Sequence, residues 1–224
     1  MKIVSWNCCQ KFREKYKIIQ KYNADIYIIQ ECEDPNLTKT AGYKKFSKNS
    51  IWIGINKNKG LGIFAKDTID IKQLNWENNT LRYFLPIRVD NTFNLIGVWA
   101  CIPYIEGYYK YRQMNINHYD KHTIIFGDFN SNAIWDKKHG NSNHSNVVNQ
   151  LNRIGLISAY HYLNHEQQGN ETNNTFYLWS HKEKGFHIDH CFINKDYLID
   201  YSVVDDERFL EFSDHMPIVL NCNF

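Results

Sequence analysis

Short apolar segments of strand length recur along the whole chain, and several of them end in an acidic or amide residue. The clearest is the run 123–126, which leads directly into Asp128 and Asn130. Asn7 and Glu31 follow earlier apolar runs in the same way. Reacting groups at the end of a strand are held by the sheet instead of by a mobile loop. The pattern therefore predicts a sheet-based fold with a polar site at one end of the strands.

The length and composition favour one domain. A chain of 224 residues is near the upper size at which a single hydrophobic core keeps growing, and no Gly/Ser-rich or Pro-rich linker divides it. We therefore expect a single domain over residues 1–224. No apolar run reaches membrane-spanning length, and Met1 leads into a strand-like segment without the features of a secretory signal, so we expect a cytoplasmic protein with no membrane partner. The formal net charge of +2 does not by itself indicate nucleic acid.

The cysteines show no CxxC spacing, and most of them lie in apolar segments. This pattern is typical of reduced, buried thiols and argues against a disulfide framework or a zinc knuckle. Cys9, Cys101 and Cys191 lie beside motif residues, so a second hypothesis is that oxidation or thiol-directed metals inhibit the protein. The full set is Cys8, Cys9, Cys32, Cys101, Cys191 and Cys222.

Helices are few in the sequence pattern. Apolar residues at helical spacing predict an amphipathic helix over residues 12–22. A second helix follows Ser145, which we expect to be its N-cap, and stops at Gly155. Two polar segments, 131–144 and 164–175, fit either solvated connections or substrate-facing loops. The other apolar runs predict strands, at residues 2–7, 24–31, 51–56, 61–65, 83–89, 93–102, 123–126, 186–194 and 215–223.

Two tryptophans stand in or near the polar segments. Trp135 and Trp179 are either core residues or aromatic faces on which a base can stack. Because most tryptophans fill hydrophobic core, packing is the default explanation for both.

The residues at the strand ends form a set of oxygen donors with one histidine beside them: Asn7, Glu31, Asp128, Asn130, Asp189, Asp214 and His215. Carboxylates that converge in a partly buried place repel each other and become protonated unless a cation neutralises them. Hard oxygen donors suit Mg²⁺, or Mn²⁺ in its place. Zn²⁺ suits them less, because neither His nor Cys recurs at zinc-ligand spacing. The sequence therefore predicts a divalent-metal site.

The segment 187–190 is the nearest approach to a zinc-like cluster. On a strand, His187 and Asp189 share one face and His190 points away, so at most two of these side chains can meet. The other motifs also have local explanations, since residues 127–130 can be a turn and Asp214 can be a helix N-cap. Their joint order along one chain, each beside a predicted strand, favours a functional site.

These motifs carry a resemblance to a known superfamily. In chain order they are Ser5-Trp6-Asn7, Ile29-Gln30-Glu31, Gly127-Asp128-Phe129-Asn130, Ile188-Asp189-His190 and Ser213-Asp214-His215-Met216-Pro217. With motifs spread over nearly its whole length, the chain resembles the endonuclease/exonuclease/phosphatase superfamily of magnesium-dependent hydrolases. The resemblance implies a four-layer α+β or α/β sandwich of the DNase I-like type. In that fold two mixed β-sheets pack face to face, helices lie outside, and the site lies at one end.

The resemblance also implies a set of metal ligands. Glu31 matches the principal metal ligand of the superfamily. Asn7 and Asp214 would support the same ion or a second one. A metal in this place would neutralise charge on the phosphate during hydrolysis.

Catalytic roles follow from the same resemblance. Asp128 would orient and deprotonate the attacking water, and Asn130 would hold Asp128 or a phosphate oxygen. His215 would donate to the nonbridging phosphate oxygens, with Asp189 fixing its tautomer. In-line hydrolysis of a phosphodiester needs these contributions, and a carboxylate behind an imidazole favours the cationic form.

The chain departs from two branches of the superfamily. AP endonucleases usually show Asn-Gly and a basic residue after the first motif, Thr-Lys after the second, and a Tyr before the Pro of a central strand. The corresponding stretches here are Asn7-Cys8-Cys9-Gln10, Glu31-Cys32-Glu33 and Cys101-Ile102-Pro103, which puts abasic-site cleavage in doubt. Trp99-Ala100-Cys101 also lacks the second catalytic His of pancreatic-type deoxyribonucleases. Either a metal-bound water or Tyr104 is then left to protonate the leaving group.

Three functions remain compatible with the sequence. The first is a Mg²⁺-dependent nuclease with nucleic acid as substrate, for which the aromatic and basic stretch 104–112 offers a surface that tracks a strand. The second is a phosphatase or phosphodiesterase acting on a small-molecule, inositol or lipid phosphoester, which a near-neutral charge tolerates. The third, a non-enzymatic binding module, fits poorly with an intact set of site residues. A calcineurin-like phosphatase is disfavoured because its Asn-His and Gly-His-x-His ligands are missing.

Overall fold

The computed structural model describes all residues from Met1 to Phe224. Its strands are β1 (Lys2–Asn7), β2 (Ile26–Cys32), β3 (Ser50–Asn56), β4 (Lys59–Ala65), β5 (Ile71–Gln73), β6 (Phe84–Val89), β7 (Phe93–Trp99), β8 (Thr123–Asp128), β9 (Leu156–Ser158), β10 (Phe176–Tyr177), β11 (Gly185–Phe186), β12 (Asp189–Asn194), β13 (Leu198–Val203) and β14 (Ile218–Cys222). Its α-helices are α1 (Phe12–Gln20), α2 (Ala41–Phe46), α3 (Ile105–Met114), α4 (His144–Asn152) and α5 (Ala159–Asn164). No helix combines the length and the apolar character needed to cross a bilayer.

The strands form two six-stranded sheets and a separate hairpin of β10 and β11. The first sheet has the order β13-β14-β1-β2-β4-β3, and the second has the order β5-β6-β7-β8-β12-β9. Each sheet is mixed, because β1 pairs in parallel with β2 and β7 in parallel with β8, whereas the other neighbours are antiparallel. The prediction of two mixed sheets is confirmed.

The hydrophobic core has three parts, which define four layers. The largest part lies between the two sheets and includes Ile28 and Ile63 from the first sheet and Phe126 from the second, all fully buried. The second part lies under α1 and α2, and the third lies under α3 and α4. Burying one such side chain contributes about 1.5–3 kcal/mol. The inner faces of the two sheets therefore stabilise each other through one shared core, and each outer face is covered by its own helices. This confirms the predicted sandwich with helices outside.

The predicted helices are present with different ends. α1 buries Phe12, Tyr16 and Ile19 at helical spacing and ends at Gln20, two residues before the predicted end. The predicted N-cap of α4 is wrong, because Asn143 and not Ser145 is the cap. The Asn143 side chain accepts a hydrogen bond from the backbone N of Asn146 at 2.9 Å, whereas Ser145 lies within the first turn. Asn is as good a cap as Ser, so composition alone did not separate the two positions.

Candidate active site

The ends of both sheets meet at one end of the sandwich and bring several predicted site residues together. Asn7 ends β1 and Glu31 lies near the end of β2 in the first sheet. In the second sheet Asp128 ends β8 directly opposite Asp189, which begins β12. A hydrogen bond from Nδ2 of Asn7 to Oδ2 of Asp128, at 3.0 Å, joins the two sheets at this point.

Steric constraints explain why the residue before Asp128 is glycine. Gly127 has φ of +149°, and a Cβ built there would lie 2.1 Å from the backbone O of Val98 on the neighbouring strand. No side chain fits in that space, so glycine is required for β8 to approach β7 this closely. The close approach helps to fix the end of β8, from which Asp128 projects.

Asp128 is fully buried and accepts hydrogen bonds from two amide side chains. Beside the bond from Asn7, its carboxylate accepts from the backbone N of Asn130 at 2.8 Å and from Nδ2 of Asn130 at 3.1 Å. Burial and the charge of Asp189 raise the pKa of Asp128 to about 7, although His215 and the amides act in the opposite direction. Asp128 is therefore a carboxylate with a much higher proton affinity than an exposed one.

His215 lies between two carboxylates. Its Nδ1 is 2.9 Å from Oδ2 of Asp189, and its Nε2 is 3.9 Å from Oδ2 of Asp128. Burial alone would lower the pKa of His215, but the charges of Asp189 and Asp128 raise it to about 10. The imidazole is therefore a buried cation that faces Asp128.

Two hydroxyl groups hold the segments that carry His215 and Asp189. Oγ of Ser213 donates to the backbone O of Asn7 and accepts from the backbone N of His215. Oγ1 of Thr175 accepts from the backbone N of Ile188 at 2.9 Å and from that of Asp189 at 3.0 Å. Sequence reasoning missed Thr175, since it stands at the end of a polar segment with no pattern of its own.

Glu31 lies beside a lysine that the sequence did not single out. The backbone φ of Glu31 is +63°. Glu31 lies at a shift of register between Gln30 and Cys32 in the pairing of β2 with β4. Nζ of Lys59, at the start of β4, is 3.0 Å from Oε2 of Glu31. Lys59 could not be found from sequence, because its place depends on which strand neighbours β2.

Asp214 and Asn7 also present oxygen atoms at this end of the fold. Asp214 is half-buried, and its backbone O accepts from the N of Tyr177 at 2.8 Å. Burial, then the charges of Asp214 and Glu31, raise the pKa of the neighbouring thiol of Cys9. Oδ1 of Asn7 accepts one hydrogen bond, from the backbone N of Cys9 at 3.1 Å, which leaves a second lone pair. The candidate metal-ligand atoms of Glu31, Asn7 and Asp214 are therefore all oxygen atoms, which suit a hard divalent cation.

The expectation for the segment 187–190 is wrong in one respect. His187 and His190 do meet, with ring centroids 5.1 Å apart, while Asp189 turns inward to His215. The reason is that β12 begins only at Asp189, so strand alternation does not apply to His187. Both histidines are buried, and burial lowers the pKa of each. They are neutral packing residues outside the carboxylate cluster.

The aromatic and basic stretch 104–112 is not a continuous surface. Most of it forms α3, in which Tyr108, Tyr111 and Arg112 are buried. Only Tyr104 and Lys110 are well exposed. Helical periodicity therefore divides the stretch between core and surface.

The two tryptophans near the polar segments differ in exposure. The ring of Trp135 packs against Phe186 at 5.2 Å between centroids. Trp179 is 73% exposed in the segment between β10 and β11. Of the two, only Trp179 is therefore a largely exposed aromatic side chain.

The cysteines are all free thiols, as expected. Cys8, Cys32, Cys191 and Cys222 are buried, but Cys9 is exposed and Cys101 is half-buried. Burial raises the pKa of Cys101 to about 12. The thiols near the site are therefore protonated at neutral pH, which weakens the hypothesis of a reactive cysteine.

Two sheets face to face, with Asp128, Asn7 and the His215–Asp189 pair at one end, define the class of a phosphoric ester hydrolase. The sequence model described as "Endonuclease/Exonuclease/phosphatase family" matches residues 4–215. The chain therefore belongs to the endonuclease/exonuclease/phosphatase family. This confirms the resemblance that the sequence motifs indicated.

Solved structures share the fold. The 3' phosphatase NExo from Neisseria, bound to a product DNA hairpin, is 18% identical, with a TM-score of 0.73 and 100% of both chains covered. An AP endonuclease from Archaeoglobus fulgidus is 16% identical, with a TM-score of 0.73 and 100% of both chains covered. The endonuclease domain of TRAS1, a telomere-specific non-LTR retrotransposon, is 18% identical, with a TM-score of 0.64, and 99% of this chain and 97% of that chain are covered. No curated protein sequence matches the chain.

Proposed function

We propose that the chain is a Mg²⁺-dependent nuclease, in which Mn²⁺ can replace Mg²⁺, with one catalytic domain over residues 1–224. The observation that carries the proposal is that Asp128, held by two amides, faces the His215–Asp189 pair in one buried place. A carboxylate of high proton affinity beside a cationic imidazole supplies a base for water and a donor for phosphoryl oxygens. The cytoplasmic location expected from the sequence stays a prediction.

Glu31, Asn7 and Asp214 would hold the metal ion. Ligand atoms of Asp128, Asp189 and His215 also lie within 4.8 Å of one another. In that second group, however, both ring nitrogens of His215 face carboxylates, and one is hydrogen-bonded to Asp189. A metal-bound histidine must present a free lone pair, so the Glu31 side of the site is the better match. The chemistry that a bound Mg²⁺ supplies there is neutralisation of charge on the phosphate oxygens.

The protein side chains supply the base for water and a hydrogen-bond donor for the phosphoryl group. Asp128 would accept a proton from the attacking water, and the amides of Asn7 and Asn130 keep its carboxylate in one orientation. His215 would donate Nε2–H to a nonbridging phosphoryl oxygen. Asp189 accepts the hydrogen bond from Nδ1 and so holds the ring with Nε2 facing the reaction. Each of these roles needs the fixed geometry that burial supplies.

Nucleic acid is the proposed substrate. One similar structure is a 3' phosphatase bound to a DNA hairpin and another is an AP endonuclease. In this chain, Nζ of Lys184 lies 5.2 Å from the ring centroid of the exposed Trp179, on the hairpin next to the site. Exposed aromatic and cationic groups together suit single-stranded nucleic acid. Hydrolysis of a 3'-phosphate is a second candidate, since NExo is described both as a 3' phosphatase and as a 3'-5' exonuclease.

A substrate panel tests the proposal. The panel contains plasmid DNA, single-stranded DNA, RNA, duplexes with an abasic site or a 3'-phosphate, and bis(p-nitrophenyl) phosphate. Each is incubated with Mg²⁺, with Mn²⁺ or with chelator. We expect metal-dependent cleavage of at least one nucleic acid. Turnover of the nitrophenyl ester alone would contradict the assignment as a nuclease, and full activity in chelator would contradict the metal dependence.

A further inference from the structure

A cleft of about 850 Å³ adjoins the candidate site, and its lining includes Glu31 and Asn130. Its other lining residues come from β3, the start of β4, the segment before β6, the end of β7 and α3. A nucleotide is smaller than this volume, and ligand pockets of small molecules range over about 300–1,000 Å³. The cleft therefore has room for a group covalently attached to a phosphate at the site.

One wall of the cleft is aromatic and apolar. Tyr83 and Trp99 pack with ring centroids 4.5 Å apart. Two other lining residues, Tyr104 and Ile102, are 40% and 79% exposed. Large apolar groups that remain exposed at the rim of a cleft mark a binding surface more often than an accident of folding.

Tyr104 also has an unusual backbone. Its φ is +59° and its ψ is −127°, a conformation that residues with a Cβ rarely adopt. The backbone N of Tyr104 donates to the O of Cys101 at 2.7 Å, and its O accepts from the N of Gly107 at 3.0 Å. The surrounding turn therefore keeps Tyr104 strained while its ring stays exposed, and such strain clusters at ligand-binding positions.

The charged residues that line the cleft are mostly positive. Lys59, Arg82 and Lys110 line it, and its acidic residue, Glu31, is paired with Lys59. Arg82 and Lys110 are exposed and take part in no ion pair in the structure. An aromatic wall with unpaired cations complements a base joined to a phosphate backbone.

We propose that this cleft is a nucleoside subsite: it holds the nucleoside joined to the scissile phosphate, with the base stacked on Tyr104 and the adjoining phosphate near Arg82 and Lys110. The inference rests on the proposed nuclease function and names the part of the substrate that the site recognises. It assigns the ring of Tyr104 to stacking, so the hydroxyl group is not the acid for the leaving group.

The test compares two substrates in the full-length protein with Mg²⁺: a short oligonucleotide and bis(p-nitrophenyl) phosphate, which has no base. Tyr104→Gly removes the ring and suits the positive φ, so the fold is preserved. We expect it to lower the ratio of kcat/KM on the oligonucleotide to kcat/KM on the nitrophenyl ester by about 5- to 150-fold, the range for loss of one stacked base. Tyr104→Phe should retain the wild-type ratio, because the ring is kept.

Two further variants complete the experiment. Arg82→Gln should weaken oligonucleotide binding and reduce its salt dependence by about one phosphate contact. Tyr162→Ala, at a 49% exposed tyrosine outside the cleft, is the control and should leave kcat/KM unchanged for both substrates.

The outcomes separate the subsite from the enzyme class. An unchanged ratio in Tyr104→Gly, with the oligonucleotide still cleaved, would overturn the subsite and leave the nuclease assignment standing. A loss in Tyr104→Phe equal to that in Tyr104→Gly would assign the residue to proton transfer and overturn stacking. A wild-type protein that cleaves the ester but no oligonucleotide would overturn both proposals.

Discussion

The ammonium of Lys59 lies 3.0 Å from Oε2 of Glu31 and 5.2 Å from the ring centroid of Trp99. The lysine thus lies against the carboxylate that we propose as a metal ligand, with an aromatic face behind it. A fixed positive charge in this place opposes a second cation by Coulomb repulsion. The affinity of the proposed site for a divalent metal would therefore depend partly on a residue that does not bind the metal.

Removing this charge should strengthen metal binding. In Lys59→Met, we expect the Mg²⁺ concentration for half-maximal turnover of the nitrophenyl ester to fall about threefold to tenfold, the size of a partly exposed charge interaction. Calorimetric titration with Mn²⁺ should give the same direction. Lys48→Met, which removes an exposed lysine paired with Asp67, is the matched control. A higher metal requirement in Lys59→Met would show that the lysine positions Glu31 instead of opposing the metal.

Loss of the proposed catalytic groups should lower turnover strongly without unfolding the protein. We expect Asp128→Asn and His215→Ala each to lower kcat by about 10²-fold to 10⁴-fold, because a base or a positioned donor is lost. Circular dichroism should report a folded protein in both cases. His118→Ala, at an exposed histidine stacked on Trp76, is the control and should keep full activity. Full activity of either site variant would refute the role assigned to that residue.

Thr175 should affect both stability and activity. In Thr175→Val the shape is kept, but the backbone N–H groups of Ile188 and Asp189 lose their acceptor. The free energy of unfolding should fall by about 1–3 kcal/mol, the range for unsatisfied buried donors, and kcat should fall because Asp189 is less firmly held. Thr175→Ser keeps the hydroxyl and should behave like the wild type in urea unfolding and turnover. Equal unfolding free energies and equal kcat values in Thr175→Val and Thr175→Ser would show that the hydroxyl of Thr175 does not have this role.

A buried carboxylate away from the site should make stability depend on acid pH. Glu171 accepts hydrogen bonds from His161, Gly169 and Asn132. Burial raises the pKa of Glu171, but these hydrogen bonds outweigh burial and lower the pKa to about 2. The folded pKa is below the unfolded one, so the stabilisation is complete above about pH 4.5 and is lost as the pH falls towards 2.

Glu171→Gln measures this contribution. We expect its unfolding free energy to be about 1–2 kcal/mol below that of the wild type at pH 6, a figure reduced for solvent screening. The difference should shrink as the pH falls below 4.5. Glu14→Gln removes an exposed carboxylate paired with Arg13 and should show a much smaller difference. A difference that does not change with pH would mean that the charge of Glu171 is not the cause.

Oxidation of the thiols should not control the activity of the protein. Because the pKa values of Cys9 and Cys101 are raised and Cys191 is buried, little thiolate is present at neutral pH. We expect the triple Ser variant of these residues to lose activity in hydrogen peroxide at the same rate as the wild type. Protection of the variant from the oxidant would instead restore the hypothesis of thiol regulation.

Nine of the strands, and the polar groups at the ends of several of them, were predictable from the sequence, whereas β5, β9, β10, β11 and β13 were not predicted. Alternation of apolar residues and Gly, Asn or Asp at turns are local properties, so Asn7, Glu31 and Asp128 could be placed at strand ends without a structure. The N-cap of α4 was misplaced by two residues, because Asn143 and Ser145 are equally good caps. The meeting of His187 with His190 was missed because the predicted strand began at residue 186, three residues before β12 begins in the structure.

The sequence by itself determined which carboxylates, amides and imidazole are available for chemistry, and that they lie at or near the ends of strands. Only the tertiary structure decided the partnerships, such as Lys59 with Glu31 across β4 and β2, and Thr175 with the backbone at Asp189. These contacts join residues whose proximity depends on sheet order and on the packing of one sheet against the other. Periodicity and propensity act over a few residues, so they cannot specify which distant segments become neighbours.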